Sequence, residues 1–225
     1  ALFRRCWDGS LLKTTALVPM LISLQNKLKT PRPGRRFQVL SEFSRGIFVR
    51  AGLPAASINV RPNWIDPVRA VADAGEYVIF VGRLAGYKGI RTLLEAYRQP
   101  GLPVLKIIGD GPLASLVERS VAPGKIEWLG RCDRNETLKY IAGARALIAP
   151  SECYENMPRT VLESFACGVP VVASDRGVFP EMVAEAGGGI LFRCGDAADL
   201  ADKIRFIMND RDCRRMTTAN ARKAY

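Results

Sequence analysis

From Tyr77 onward, short apolar runs alternate with helical patterns, and this alternation limits the fold more than any other feature of the chain. Tyr77–Val81, Val104–Ile108, Ile126–Leu129, Ala146–Ala149, Val169–Ala173 and Ile190–Phe192 read as buried strands. Between and after them, Ile90–Arg98, Leu113–Ser120, Glu136–Ala142, Arg159–Cys167, Phe179–Ala184 and Ala198–Met208 read as helices. Strand–helix–strand units of this kind require a parallel sheet with helices on both faces, a Rossmann-like α/β fold, joined by right-handed crossovers. Ligands of such a sheet bind outside the carboxyl ends of the strands.

Upstream the pattern is weaker. Residues 1–36 are an uncertain lead-in that ends at the turn-like Pro31-Arg32-Pro33-Gly34. Phe37–Leu40 and Ile58–Arg61 read as strands. They flank a helix over Phe43–Ala51, with Ser41 as its cap and Gly52 after it. Pro62-Asn63 and Asp66-Pro67 break the pattern. The expected division is a partial domain over 1–63, a linker over 64–75, a sheet domain over 76–210 and a C-terminal helix over 211–225. The chain opens without Met, in what reads as mid-sequence, so a fragment is expected.

The net charge of +11 favours anionic ligands such as nucleoside diphosphates or acidic headgroups. A basic surface can also be merely solvated. Nucleic acid is not expected, because no zinc-finger, RRM-type or helix-turn-helix signature occurs. The six cysteines are scattered with no C-x-x-C pair, and there is no histidine, so the usual zinc constellations are absent and reduced thiols are expected. Ala16–Leu24 is apolar but interrupted by Pro19, and it falls short of the ~20 residues that span a bilayer. A packed helix is expected there, with a monotopic membrane contact as the alternative.

Chemistry-bearing residues gather at strand ends. Gly82-Arg83-Leu84-Ala85-Gly86-Tyr87-Lys88-Gly89 follows the first strand of the regular region, and Arg83 and Lys88 bring two cations to it. Gly109-Asp110-Gly111-Pro112-Leu113-Ala114 has the form G-x-G-x-x-A, a dinucleotide fingerprint, although it opens the second unit rather than the first. A tight turn without a ligand would use the same residues. Asp133, three residues before Glu136, suits a helix cap. Ser151-Glu152-Cys153-Tyr154-Glu155-Asn156-Met157-Pro158-Arg159-Thr160-Val161-Leu162-Glu163 crosses a strand–helix turn. Pro158 suits the first helical position, and the free N–H groups of the helix start suit a phosphate. Glu155 falls in the loop and Glu163 inside the helix. Either glutamate alone could serve only the helix dipole or the solvent.

Taken together, Glu155 and Glu163 with seven residues between them resemble the E-x7-E motif of retaining glycosyltransferases of the GT-B fold, the group 1 glycosyl transferases. Glu163-Ser164-Phe165-Ala166-Cys167-Gly168-Val169-Pro170-Val171-Val172-Ala173 is similar to that family's E-A-M-A-x-G-x-P-V-V-A, and residues 82–89 to its G-R-L-x-x-x-K-G, with Tyr87 where glutamate is common. The run from Ser41 to Pro67 is similar to the end of the family's N-terminal domain.

The resemblance implies a nucleoside-diphosphate sugar donor of UDP or GDP type and no cofactor or metal. Glu155, Arg83 and Lys88 are then the catalytic set, with both cations on the diphosphate and Glu155 facing the donor sugar. Glu163 accepts from the ribose hydroxyls. Gly82, Gly109 and Asp110 form turns beside the nucleotide, and Arg131 and Cys132 line the base. Asn156, Met157, Pro158, Arg159 and Thr160 form the donor-facing loop. The acceptor is expected to be a glycan or a lipid-linked glycan. A cytoplasmic setting is expected, with peripheral contact to anionic membrane. An NAD-dependent oxidoreductase, a nucleotide-sugar epimerase and a non-catalytic nucleotide-sugar-binding module stand as alternatives.

Overall fold

The computed structural model describes residues 34–66 and 75–210, with isolated positions at 19, 22, 23, 26, 27, 216, 217, 219 and 220. Most of the lead-in, most of the expected linker and most of the expected C-terminal helix lie outside the described residues. The chain divides into two compact units, Ala1–Arg61 and Pro62–Tyr225.

In the first unit, β1 (Phe37–Val39) and β2 (Ile58–Val60) pair in parallel around α1 (Glu42–Arg50). Ser41 caps α1 by accepting from the Ser44 N–H at 3.1 Å, which satisfies one of the four donors a helix start leaves open. Val39, Leu53 and Ile58 form the small core.

The second unit holds one six-stranded parallel sheet. Its strands are β3 (Tyr77–Val81), β4 (Val104–Ile108), β5 (Ile126–Trp128), β6 (Ala146–Ala149), β7 (Val171–Ser174) and β8 (Gly189–Phe192). The helices are α2 (Ile90–Ala96), α3 (Ala114–Glu118), α4 (Arg134–Ala142), α5 (Arg159–Ala166) and α6 (Ala197–Asn209). Strand order is β5-β4-β3-β6-β7-β8, so the direction of winding reverses between β3 and β6. A crevice at that reversal is where such sheets hold ligands.

Alternation along β3 explains the two layers. Val78 and Phe80 share a core with Ile90 and Leu93 of α2 and with Leu200 and Ile204 of α6. Ile79, pointing the other way, is just as buried. On that second face α4 packs against β3 and α5. Phe165 of α5 is fully buried. Side chains of this size contribute about 1.5–3 kcal/mol each on burial.

Boundaries differ from expectation in a few places, each with a cause. β7 begins at Val171 rather than Val169, because Pro170 has no N–H for the ladder and offers only its carbonyl, to the Leu147 N–H. The expected short helix over 179–184 is a π-helical turn over Pro180–Glu185. α4 starts at Arg134, and Asp133 is its cap, accepting from the Glu136 N–H at 2.8 Å. Pro158 is the extended cap of α5, one position before the first helical residue.

Candidate functional site

The loops at the carboxyl edge are stitched to one another by backbone hydrogen bonds. After β3, the Gly82 N–H donates to Ile108 O at 3.0 Å and the Leu84 N–H to Asp110 O at 2.9 Å. The Leu113 N–H returns to Leu84 O at 2.8 Å. Gly109 has φ +140°, and a Cβ there would lie 1.9 Å from Gly82 O, so only glycine allows the approach. The G-x-G-x-x-A turn therefore serves loop-to-loop packing in this fold. Beside it opens a cavity of about 390 Å³ whose walls include Gly82, Arg83, Gly109, Asp110, Arg131 and Cys132. Thr137 of α4 closes one side.

A second cluster lies at the start of the β6–α5 loop. Lys88 Nζ donates to Glu155 Oε1 at 2.6 Å, and Ser151 Oγ donates to the same oxygen at 2.7 Å. The Cys153 thiol lies 3.8 Å from it. These groups come from loops 67 residues apart, brought together because β3 and β6 are neighbours. The N–H groups of Glu152 and Cys153 both donate to Tyr87 O, at 2.9 and 3.3 Å. A Cβ at Gly89 would sit 1.9 Å from Pro150 O.

The loop ends at α5. Asn63 Nδ2 donates to Met157 O at 3.0 Å, and the Asn63 N–H approaches Met157 Sδ at 3.0 Å. The first backbone bond of the helix runs from Val161 N–H to Pro158 O at 3.1 Å. The N–H groups of Arg159 and Thr160 precede that bond, at the positive end of the helix.

Glu163, one turn on, is 9% exposed. Arg134 Nε, at the start of α4, lies 3.8 Å from its Oε1. Burial pushes the Glu163 carboxyl above its ordinary range, and Arg134 and Arg159 pull it partly back. Burial likewise pushes the Cys167 thiol up to about 11, helped by the nearby Glu163 charge.

The expected residues thus fall into three groups at the carboxyl edge. Gly82, Arg83, Gly109, Asp110, Arg131 and Cys132 line the cavity. Lys88 and Glu155 form an ion pair. Asn156, Met157, Pro158, Arg159 and Thr160 lead from it into α5, which carries Glu163. Arg83 and Lys88 share a loop, yet Arg83 faces the β4–β5 side while Lys88 is held toward β6. Three partners escaped the sequence reading: Ser151, Arg134 and Asn63. Ser151 stood inside the quoted motif, but Arg134 and Asn63 act across the fold and carry no local signal. Among the described residues no cluster of three or more metal-ligating side chains occurs. No described helix is long and apolar enough to cross a membrane.

Comparison with known proteins bears on the family and the fold. Residues 65–224 match the family of glycosyl transferases group 1. The chain is 30% identical over 187 residues to phosphatidyl-myo-inositol mannosyltransferase of Mycobacterium leprae, covering 78% of this chain and 48% of that protein. It is 38% identical over 124 residues to O-antigen chain mannosyltransferase B of Escherichia coli, covering 49% and 32%. The chain spans less than half the length of the curated relatives it matches. Among solved structures, it resembles sucrose-phosphate synthase of Thermosynechococcus elongatus, with a TM-score of 0.77 at 23% identity over 91% of this chain and 56% of that one. It also resembles HepE of Anabaena in complex with UDP, with a TM-score of 0.73 at 22% identity over 84% and 58%. These likenesses establish the GT-B type of α/β fold, and the chain belongs to the glycosyl transferases group 1 family.

Proposed function

We propose that this chain is the donor-binding half of a retaining, metal-independent glycosyltransferase. It takes a nucleoside-diphosphate sugar and passes the sugar to a glycan or lipid-linked glycan. The first compact unit, up to Arg61, is read as the end of the acceptor-side domain. One observation carries the reading: the carboxyl edge of one parallel sheet holds an arginine-lined cavity at the ends of β3 and β4, a Lys88–Glu155 pair joining the loops after β3 and β6, and the start of α5.

In this reading the nucleoside occupies the cavity, with the base near Arg131 and Cys132. Glu163 accepts from two ribose hydroxyls, a diol meeting the two oxygens of a carboxylate. The diphosphate lies between Arg83, Lys88 and the N–H groups of Arg159 and Thr160. Glu155 faces the sugar. An acceptor hydroxyl attacks the anomeric carbon from the face the leaving group departs. The new C–O bond forms as the bond from the anomeric carbon to the phosphate oxygen breaks, and the hydroxyl proton passes to the departing diphosphate. Lys88, Arg83 and the helix start stabilise the charge that builds there, the role a metal ion fills in other transferases. Lys88 must loosen its hold on Glu155 as the phosphate arrives, so donor binding frees the carboxylate for the sugar. The basic surface suits a site of glycan assembly beside anionic lipid.

Calorimetric titration of UDP, GDP and ADP tests the assignment. Glu163→Ala is expected to weaken the preferred nucleotide by about 1.5–3 kcal/mol, the scale of hydrogen bonds to a charged group. Unchanged affinity would refute the ribose role. The chain alone is expected to transfer no sugar, since it spans under half of its relatives.

A further inference from the structure

Two tyrosines bracket the Lys88–Glu155 pair, and the donor reading uses neither ring. Tyr87 is 48% exposed and Tyr154 is 67% exposed. Tyr87 stands in the loop after β3 and Tyr154 in the loop after β6, the two strands between which the winding reverses. Both loops therefore stand at the carboxyl edge, one after each of two neighbouring strands. The Tyr87 ring centroid lies 6.0 Å from Lys88 Nζ, which is itself 2.6 Å from Glu155 Oε1. Tyr154 immediately precedes Glu155 in the chain, and the Arg176 guanidinium lies 5.8 Å from its ring.

The backbones beneath the rings are fixed. Tyr87 O accepts from two N–H groups of the neighbouring loop, one on each of the residues just before Tyr154. Arg176 Nη1 donates to Glu152 O at 2.9 Å. A Cβ at Gly177 would come within 3.0 Å of Glu155 N, so the loop after β7 supports this segment from behind.

A single exposed tyrosine needs no explanation. Two beside one half-buried ion pair, on loops hydrogen-bonded to each other, form a surface. Aromatic rings offer flat apolar area at small entropic cost, with a hydroxyl at the tip. The C–H face of a pyranose ring packs against such area while its equatorial hydroxyls stay wet. A nucleobase would find its place on the other side of β3, in the Arg83–Arg131 cavity.

Building on the donor reading above, we propose that Tyr87 and Tyr154 are the acceptor platform: they stack a pyranose ring of the acceptor glycan and hold its hydroxyl over the donor sugar at Glu155. The occupant is a carbohydrate, recognised by ring stacking.

Saturation-transfer difference NMR tests this on the chain as it stands, with saturating UDP and tyrosine ring protons irradiated. The probes are the methyl α-pyranosides of glucose, mannose and galactose. At least one glycoside is expected to receive saturation on its ring protons. The double variant Tyr87→Phe/Tyr154→Phe should keep at least half of that transfer. Tyr87→Leu/Tyr154→Leu should lose it at least fivefold, with UDP affinity by calorimetry within twofold of the parent. Undiminished transfer in the leucine variant would overturn the platform, as would no transfer to any glycoside in the parent chain. So would a parallel collapse of UDP affinity, which would hand the rings to the nucleotide. Failure of the parent chain to bind UDP, GDP or ADP strikes the donor reading instead, and the ring-to-sugar result still decides the platform.

Discussion

Two cavities among the described residues of the sheet domain have basic walls, and the donor reading uses one of them. The first, at the carboxyl edge, is lined by Arg83 and Arg131 beside glycine turns. The second, of about 360 Å³, lies between α2 and α3 near the start of β5, with Arg91, Arg98 and Lys125 in its walls. Charge does not separate them. Backbone direction does. At the carboxyl edge the starts of α4 and α5 point N–H groups outward, and an anion is welcome. The second cavity lies along α2 and beside the last turn of α3, with the N-cap residue of neither helix in its walls, and there Arg98 pairs with Glu95 at 2.9 Å. The Tyr97 hydroxyl beside it is buried with no hydrogen-bond partner among the described residues. Basic side chains mark a ligand site only where the peptide dipoles agree with them.

That contrast can be broken in several ways. The largest effect is expected at the loop stitching of the carboxyl edge. Gly109→Ala forces a methyl group against Gly82 O and strains a positive φ, which should cost about 2–5 kcal/mol in chemical denaturation. Next come the cations. Arg83→Ala and Lys88→Ala should each weaken UDP or GDP by about 1.5–3 kcal/mol in calorimetry, whereas Arg91→Ala should leave nucleotide affinity within twofold. Tyr97→Phe removes a hydroxyl that is buried and unpaired, so the melting temperature should rise, by an amount matching about 1 kcal/mol or more, with donor binding unchanged. Arg98→Ala should cost only ~0.3–1 kcal/mol, the scale of a cation at a helix end.

A pH series sharpens the same contrast. Burial holds the Glu163 carboxyl above its ordinary range. It must be ionised to accept two ribose hydroxyls. Nucleotide affinity should therefore fall as pH drops through that raised value, beginning at a higher pH than an ordinary glutamate would give. For folding the sign is opposite. The folded chain holds this proton more tightly than the unfolded one, so the contribution is largest below the unfolded pKa and is lost as pH rises through the folded value. Glu163→Gln should flatten both profiles.

Much of the fold was legible because it rests on local signals. Among the described residues, the strands and most of the helices between them follow from apolar runs, caps and breakers, and Ser41 and Asp133 cap where their spacing suggests. Errors arose where one atom decides, as at Pro170 and Pro158. The candidate residues were legible as motif letters, but their partnerships were not. The contact of Lys88 with Glu155 depends on β3 lying beside β6, and that of Arg134 with Glu163 on α4 lying beside α5. Both adjacencies are products of strand order, which no stretch of ten residues encodes.

The most direct test is a crystal structure of the chain with UDP. The account predicts diphosphate oxygens within hydrogen-bonding distance of Arg83, Lys88 and the start of α5, with Glu163 on the ribose. UDP bound in the cavity between α2 and α3, or at the carboxyl edge with Glu163 turned away, would contradict it.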